Sequence, residues 1–256
     1  MTTNSAFNYD DPEIQYASHR VTDPRIAAYI NEALGDAQSL INVGAGAGSY
    51  EPADRYVVAV EPSAIMRKQR LANNKVPALI GKADSLPFDD NAFDAAMASI
   101  TIHHWPDIPK GLSELRRVSR DKVLILTFDP DALDFFWIAS YFREMIEAEK
   151  LKFPTMASLV QLLGGSCEVK TIPIPLDCTD GFMEAFYGRP EAFLNPAVRK
   201  AQSAWGFLPN GLEEKLVARL QTELESGEWD RKYGYLRTQT QFTGALRLIV
   251  SRKTAI

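Results

Sequence analysis

Residues 40–49 read Leu-Ile-Asn-Val-Gly-Ala-Gly-Ala-Gly-Ser, and no other stretch constrains the fold as strongly. Leu40, Ile41 and Val43 form a short apolar run, the pattern of a buried strand. The run breaks into Gly44, Gly46 and Gly48. Glycine has no Cβ, so the backbone can turn sharply there and a ligand can approach it closely. A strand that opens into such a loop is the nucleotide-binding corner of open α/β sheets, although a glycine-rich turn can also be only a turn. A second feature favours binding. The next apolar run, residues 56–60, ends on Glu61. An acidic residue at the tip of the second strand, about 20 residues beyond the glycines, suits the hydroxyls of a ribose. The segment between, residues 50–55, contains Pro52 and is too short for a full helix.

The remainder of the chain repeats strand and helix at α/β spacing. Asp23 and Pro24 supply an N-cap and a first-turn proline. Ile26, Ile30, Ala33 and Leu34 then share one helical face, which Gly35 closes. Strands are predicted at 39–43, 56–60, 78–80, 93–98 and 122–128. Helices are predicted from Pro62-Ser63 to about residue 71 and, capped by Asp107, along Ile108, Leu112, Leu115 and Val118. This alternation predicts a largely parallel sheet with helices on both faces and right-handed crossovers. Ligands of such sheets sit at the carboxyl ends of the strands, where the glycine loop, Glu61, Asp84, Ser99 and Asp129 all fall. Beyond residue 130 the expectations are a helix over 154–163, a strand over 168–174, a helical insertion over 179–240 and a closing strand over 244–251. Within the insertion, a helix capped by Asn210 runs to Gly227. The aromatics of 135–142 and 182–207 suit either a packed core or the wall of a substrate pocket.

Length and composition fit a single domain over residues 1–256. Its expected parts are an N-terminal lid and helix (1–37), a cofactor-binding half (38–130) and helical cap elements (131–165 and 179–240). The formal net charge of −5 argues against a nucleic-acid-wrapping protein. Residues 1–11 are polar and carry no signal-peptide core. No stretch approaches the ~20 apolar residues of a membrane span. Cys167 and Cys178 suit a reducing cytosol and show no metal spacing. A cytoplasmic protein without a metal is the expectation.

Three cofactor classes compete. A phosphate-binding P-loop is excluded, because no Gly-Lys-Ser/Thr follows the glycines. The dinucleotide fingerprint wants a third glycine where the chain has Ser49, and a helix N-terminus beneath the pyrophosphate. The third class carries ribose and adenine without phosphate. It needs a close backbone approach, a ribose acceptor and an adenine contact, which Gly44–Gly48, Glu61 and Asp84 supply in that order.

The set Val43-Gly-Ala-Gly-Ala-Gly, Val60-Glu61-Pro-Ser, Ala83-Asp-Ser-Leu-Pro-Phe, Phe93-Asp94 and His103-His104-Trp105-Pro-Asp resembles class I S-adenosylmethionine-dependent methyltransferases. The resemblance is to the small-molecule branch that includes the ubiquinone and menaquinone biosynthesis enzymes, and it is specific over about residues 38–130. It implies a Rossmann-like seven-stranded sheet of order 3-2-1-4-5-7-6, with strand seven antiparallel. It also implies S-adenosyl-L-methionine as cofactor, with S-adenosyl-L-homocysteine left as product. Gly44, Gly46 and Gly48 would lie under the methionine and ribose, with Asn42 beside them, and Glu61 would take the ribose hydroxyls. Met66, Ala83 and Asp84 would surround the adenine, and Ser99 would flank the methionine part. Tyr16 and Arg20 resemble a leader that closes on the cofactor, with Arg20 a partner for its carboxylate. The chain departs from the family at Asn42, where Asp is frequent, at Lys82, where an acidic residue is frequent, and in the shortened segment after the glycines.

His103 and His104 follow strand four on the ligand-binding edge. They are candidates for a general base if the acceptor must lose a proton; each is equally readable as a hydrogen-bonded residue that fixes the loop. The expected substrate is a small molecule, apolar or aromatic. Other chemistry on the same cofactor and a nicotinamide-dependent oxidoreductase are the competing readings; a partner-binding module leaves the glycines and Glu61 unexplained.

Overall fold

The computed structural model describes residues 20–254; Tyr16 therefore lies outside the described residues. Nine strands are named in chain order among them: β1 (Ser39–Val43), β2 (Tyr56–Val60), β3 (Ala78–Leu79), β4 (Phe93–Ser99), β5 (Ser119–Phe128), β6 (Ser166–Thr171), β7 (Ile174–Pro175), β8 (Gln241–Phe242) and β9 (Leu246–Arg252). Seven make one sheet of order β3-β2-β1-β4-β5-β9-β6. β1 through β5 pair in parallel, and β9 runs antiparallel to both β5 and β6. With β9 in the seventh place, this is the order and the single reversal that the resemblance implied. β7 and β8 form a separate two-stranded ribbon.

Successive side chains of each strand point to opposite faces, and the core divides accordingly. Leu40, Met97, Leu124, Leu126, Leu248 and Val250 face one side, where Ile26, Ile30 and Leu34 of the helix Pro24–Leu34 cover them. Ile41, Ala96, Ala98, Val123, Ile125 and Ile249 face the other, against Leu112, Leu115 and Val118 of the helix Ile108–Val118 and Leu159 and Leu163 of Met156–Leu163. The caps read from the sequence form. Asp23 accepts from the Arg25 N–H at 2.9 Å, and Asp107 from the Lys110 N–H at 2.8 Å. Asp94 stitches β1 to β4 by accepting from Gln38 N, Ser39 N and the Ser39 hydroxyl at 2.9–3.0 Å.

Three boundaries differ from expectation. β6 begins at Ser166 and ends at Thr171, so Ile174 joins the β7–β8 ribbon instead. β5 begins at Ser119, because a bulge between Ser119 and Lys122, opposite Phe93–Ala95 of β4, extends its pairing. The helix Leu212–Glu225 is capped by Gly211, in the left-handed region at φ 78°, rather than by Asn210.

Phe136, Trp137, Tyr141, Phe142, Phe186, Phe193 and Trp205 pack on one another over the first face of the sheet, whereas Phe135 is exposed. Trp137 is the hub: its ring meets Phe193 and Trp229 edge-on, both at 5.6 Å, and its indole N–H donates to the Tyr187 carbonyl at 2.8 Å. Phe142 meets Trp205 at 4.9 Å. These rings are core for the layer formed after residue 130; the cavity described below is lined by other residues.

Candidate cofactor and active site

The carboxyl ends of β1, β2 and β4 open into one cavity of about 440 Å³, of the size that small-molecule sites occupy. Its floor is the glycine loop. Gly44 and Gly46 sit at φ 69° and 50°, conformations that L side chains avoid. A Cβ on Gly44 would overlap the Thr101 hydroxyl, so this glycine lets the turn after β4 close against the turn after β1. A Cβ on Gly46 would meet nothing within 4 Å, because it would stand in the cavity.

Glu61 directly follows β2 and is 6% exposed. One oxygen accepts the Gly46 N–H at 2.8 Å and the other the Ser63 N–H at 2.8 Å. These bonds fix the carboxylate at the cavity edge, which it lines. Ser63 caps the helix Ala64–Ala72 through the Met66 N–H at 3.1 Å, which turns Met66 inward in the first turn. Gly81, Lys82 and Ala83 continue the wall on this side.

The opposite end belongs to β1 and β4. Asn42 and Ser99 line it, and Asn42 Oδ1 and Ser99 Oγ are both buried without a hydrogen-bond partner. A buried polar atom left unpaired costs about 1–3 kcal/mol, so two together at a cavity wall mark where a ligand's polar groups would bind. Ile100 and Tyr50, which also line the cavity, hold positive φ of 50° and 62°. For a β-branched residue such as Ile100 this is a strained backbone of the kind that gathers at functional sites.

Arg20 reaches the cavity, and its guanidinium pairs with Asp180 at 2.5 Å; Asp180 also accepts the Tyr50 hydroxyl at 2.7 Å. Glu51, Arg70, Tyr50 and Asp180 were not singled out from the sequence. Each acts through a partner distant in the chain, and only Tyr50 and Glu51, just after the glycines, stand near a motif that the sequence shows.

After β4 the short turn Ile102–His104 carries the two histidines. His104 lines the cavity with an exposed face. His103 stands behind it, its ring 3.8 Å from that of His104 and 4.4 Å from that of Phe153, outside the lining. Burial, His104 and the cations Lys152 and Arg20 hold the His103 imidazole well below its ordinary pKa. The packed surroundings, with Lys152 and Arg20, push His104 down to about 4. Water at its open face moderates that shift, but the direction leaves both rings neutral near pH 7. Trp105 lies over Gly111, where any Cβ would overlap its ring, and adds an aromatic wall.

Of the residues expected at the site, Arg20, Asn42, Gly44, Gly46, Glu61, Met66, Ala83, Ser99 and His104 are brought together around the cavity. Gly48 lies beneath the loop, against Lys75 and Arg70, with its N–H on the Ala45 carbonyl at 3.0 Å. Asp84 stands next to Ala83 without lining the cavity. Among the described residues no cluster of three metal-ligating side chains occurs, and no helix is long and apolar enough to cross a membrane.

The family model for a methyltransferase domain matches residues 41–127. Among solved structures, the chain is similar to one described as a methyltransferase from an antibiotic biosynthesis pathway of Anabaena variabilis, with a TM-score of 0.85 and 30% identity over 92% of this chain and 99% of that one. The ubiquinone/menaquinone biosynthesis C-methyltransferase UbiE of Citrifermentans bemidjiense is 36% identical over 64 residues, 24% of this chain and 27% of that protein. The 2-methyl-6-phytyl-1,4-hydroquinone methyltransferase 1 of rice is 30% identical over 78 residues, 30% of this chain and 23% of that protein. The matches to these curated relatives span only about a quarter of their length. The reversed strand in seventh place, the glycine floor with its carboxylate, and a solved relative matched along nearly its whole length agree: the chain belongs to the S-adenosylmethionine-dependent methyltransferase family.

Proposed function

We propose that this protein transfers a methyl group from S-adenosylmethionine to a small aromatic or apolar molecule in the cytoplasm. The observation that carries the reading is the cavity itself: Glu61, braced by Gly46, at one end, and the unpaired Asn42 Oδ1 and Ser99 Oγ at the other. The donor set fits the cofactor. Glu61 is a carboxylate of the kind that accepts from ribose hydroxyls, Met66 and Ala83 offer an apolar slot for adenine, and Asn42 and Ser99 suit the amino-acid end. Arg20, which lines the same cavity and is paired with Asp180, is our candidate partner for the cofactor carboxylate. The roles of Tyr16, Gly48 and Asp84 remain those implied by the resemblance.

When bound, S-adenosylmethionine supplies a methyl group activated by the sulfonium. The protein's part is to hold donor and acceptor in line at about 3 Å and to keep water away. His104, neutral at the cavity wall, can take a proton from a hydroxyl or carbon acid. His103 packs between that ring and Phe153, in tilted contact with each, and holds it in place. An aromatic acceptor is supported by Trp105 in the wall, by Phe153 and Phe128 beside His103, and by relatives named for a hydroquinone methyltransferase and for ubiquinone/menaquinone biosynthesis.

Calorimetric titration with S-adenosylhomocysteine, with NADH alongside, tests the cofactor. The wild-type protein should bind the first ligand and not the second. Glu61→Ala removes the ribose acceptor and unpairs two N–H groups, which should weaken binding by about 3 kcal/mol, on the order of a hundredfold. NADH binding, or no binding of S-adenosylhomocysteine, would reject the assignment. Transfer of labelled methyl to a panel of phenols and quinols then identifies the acceptor class.

A further inference from the structure

The amide of Asn42 could point either way, and the structure fixes it. Its Nδ2 donates to Glu51 Oε1 at 2.8 Å. A carboxylate only accepts, so the NH2 must face Glu51 and Oδ1 must be the atom left over. Glu51 cannot turn aside, because Arg70 grips both of its oxygens at 2.7 Å. The three side chains are buried: Asn42 is 1% exposed, and the pair's side chains are 3% and 0%. Arg70 in turn donates to the Val76 carbonyl, which ties the row to the chain leading into β3. The outcome is an unsatisfied Oδ1 at a residue that lines the cavity.

We infer that Glu51, held by Arg70, is a positioning residue that sets Asn42 as an uncharged acceptor for an amino group of the bound ligand. The inference rests on the cofactor reading above, under which that group is the α-ammonium of the methionine moiety. The negative charge lies one residue behind the contact and is neutralised by Arg70, so recognition comes from a directed carbonyl dipole and not from a carboxylate in the cavity.

Two ligands separate this role from a structural one. S-adenosylhomocysteine carries the amino-acid end; 5′-methylthioadenosine shares the adenosine and thioether but lacks it. In Glu51→Gln, the new amide satisfies Arg70 with its oxygen and turns its NH2 toward Asn42, which reverses the Asn42 amide. Affinity for S-adenosylhomocysteine should fall about tenfold, while that for methylthioadenosine stays within about twofold. Asn42→Leu leaves the Glu51–Arg70 pair in place and should give the same selective loss. The double variant Glu51→Gln/Asn42→Asp restores an acceptor and should recover most of the affinity. Equal weakening of both ligands in the variants, or unchanged binding of S-adenosylhomocysteine in Asn42→Leu, would overturn the inference. A wild-type protein that binds neither ligand would reject the cofactor reading and this inference with it.

Discussion

The rings of His103 and His104 lie 3.8 Å apart at a tilt of 49°, and burial together with the cations Lys152 and Arg20 holds both neutral in the folded protein near pH 7. In the unfolded chain both return to about 6.5. Between that value and the lower folded values the unfolded state binds more protons, so the stability these rings contribute is present near pH 7 and is lost as the pH falls. Glu184 works in the opposite sense: burial raises its carboxyl to about 7, so it favours the folded state at low pH and opposes it as the pH rises from 4.5. The histidine contribution is therefore isolated by difference. His103→Gln/His104→Gln should lose less melting temperature than the wild type between about pH 7 and about pH 5. If His104 is the base, the same variant should turn over slowly while its affinity for S-adenosylhomocysteine holds. Equal loss of affinity would assign the pair a structural role. At this scale the sequence shows residues whose role is local. Gly44, Gly46 and Glu61 announce themselves because a strand ends at each. Asp180 and the grip of Arg70 on Glu51 do not, since their partners are chosen by the fold.

Three segments meet where the chain enters the first helix, and one carboxylate joins them. Asp180 pairs with Arg20, which enters the described chain, and accepts from Tyr50, which follows the glycine loop. Beside it, Thr22 accepts the Tyr50 N–H at 2.9 Å and Asp23 accepts the Thr179 N–H at 3.1 Å. The loop around residue 180 is thus fastened to the cavity floor. Asp180 is 1% exposed and the Arg20 side chain 9%, so Asp180→Ala takes a buried carboxylate away from both the Arg20 guanidinium and the Tyr50 hydroxyl. The expected cost is about 3 kcal/mol, or on the order of 6–12 °C in melting temperature. Asp180→Asn keeps an acceptor for Tyr50 and should lose less. A shift of about 1 °C or less in Asp180→Ala would show that the ion pair only breaks even against desolvation. Elements with internal signals are legible in the sequence: β1, β2 and the helices capped by Asp23, Ser63 and Asp107 lie close to their expected positions. Boundaries set by pairing are not. β6 ends where its neighbour β9 stops offering partners, and β5 begins early because a bulge between Ser119 and Lys122 carries it on to pair with Phe93.

The sheet and the layer added after residue 130 share apolar contacts. Leu124, Leu126, Leu246 and Leu248 lie in one buried cluster with Trp137, Phe142, Phe193, Trp205 and Trp229. Separating the layer from the sheet would expose aromatic surface on both sides, at about 25 cal/mol for each Å². Neither part then has a closed core of its own, which argues that they unfold together, as small cooperative units do. The tryptophans make this measurable. Of the four in the chain, Trp137, Trp205 and Trp229 are buried in the added layer, whereas Trp105 stands at the cavity wall. Fluorescence therefore reports mainly on the layer, and far-ultraviolet dichroism reports on the whole chain. Thermal melts by the two probes should coincide. S-adenosylhomocysteine at a hundredfold excess over its Kd should raise both by about 2.7 kcal/mol, or on the order of 5–11 °C, even though its cavity is floored by β1 and β2. Two separate transitions, with only the dichroism signal moved by the ligand, would mean that the layer melts on its own and that the aromatic cluster seals a boundary between two units.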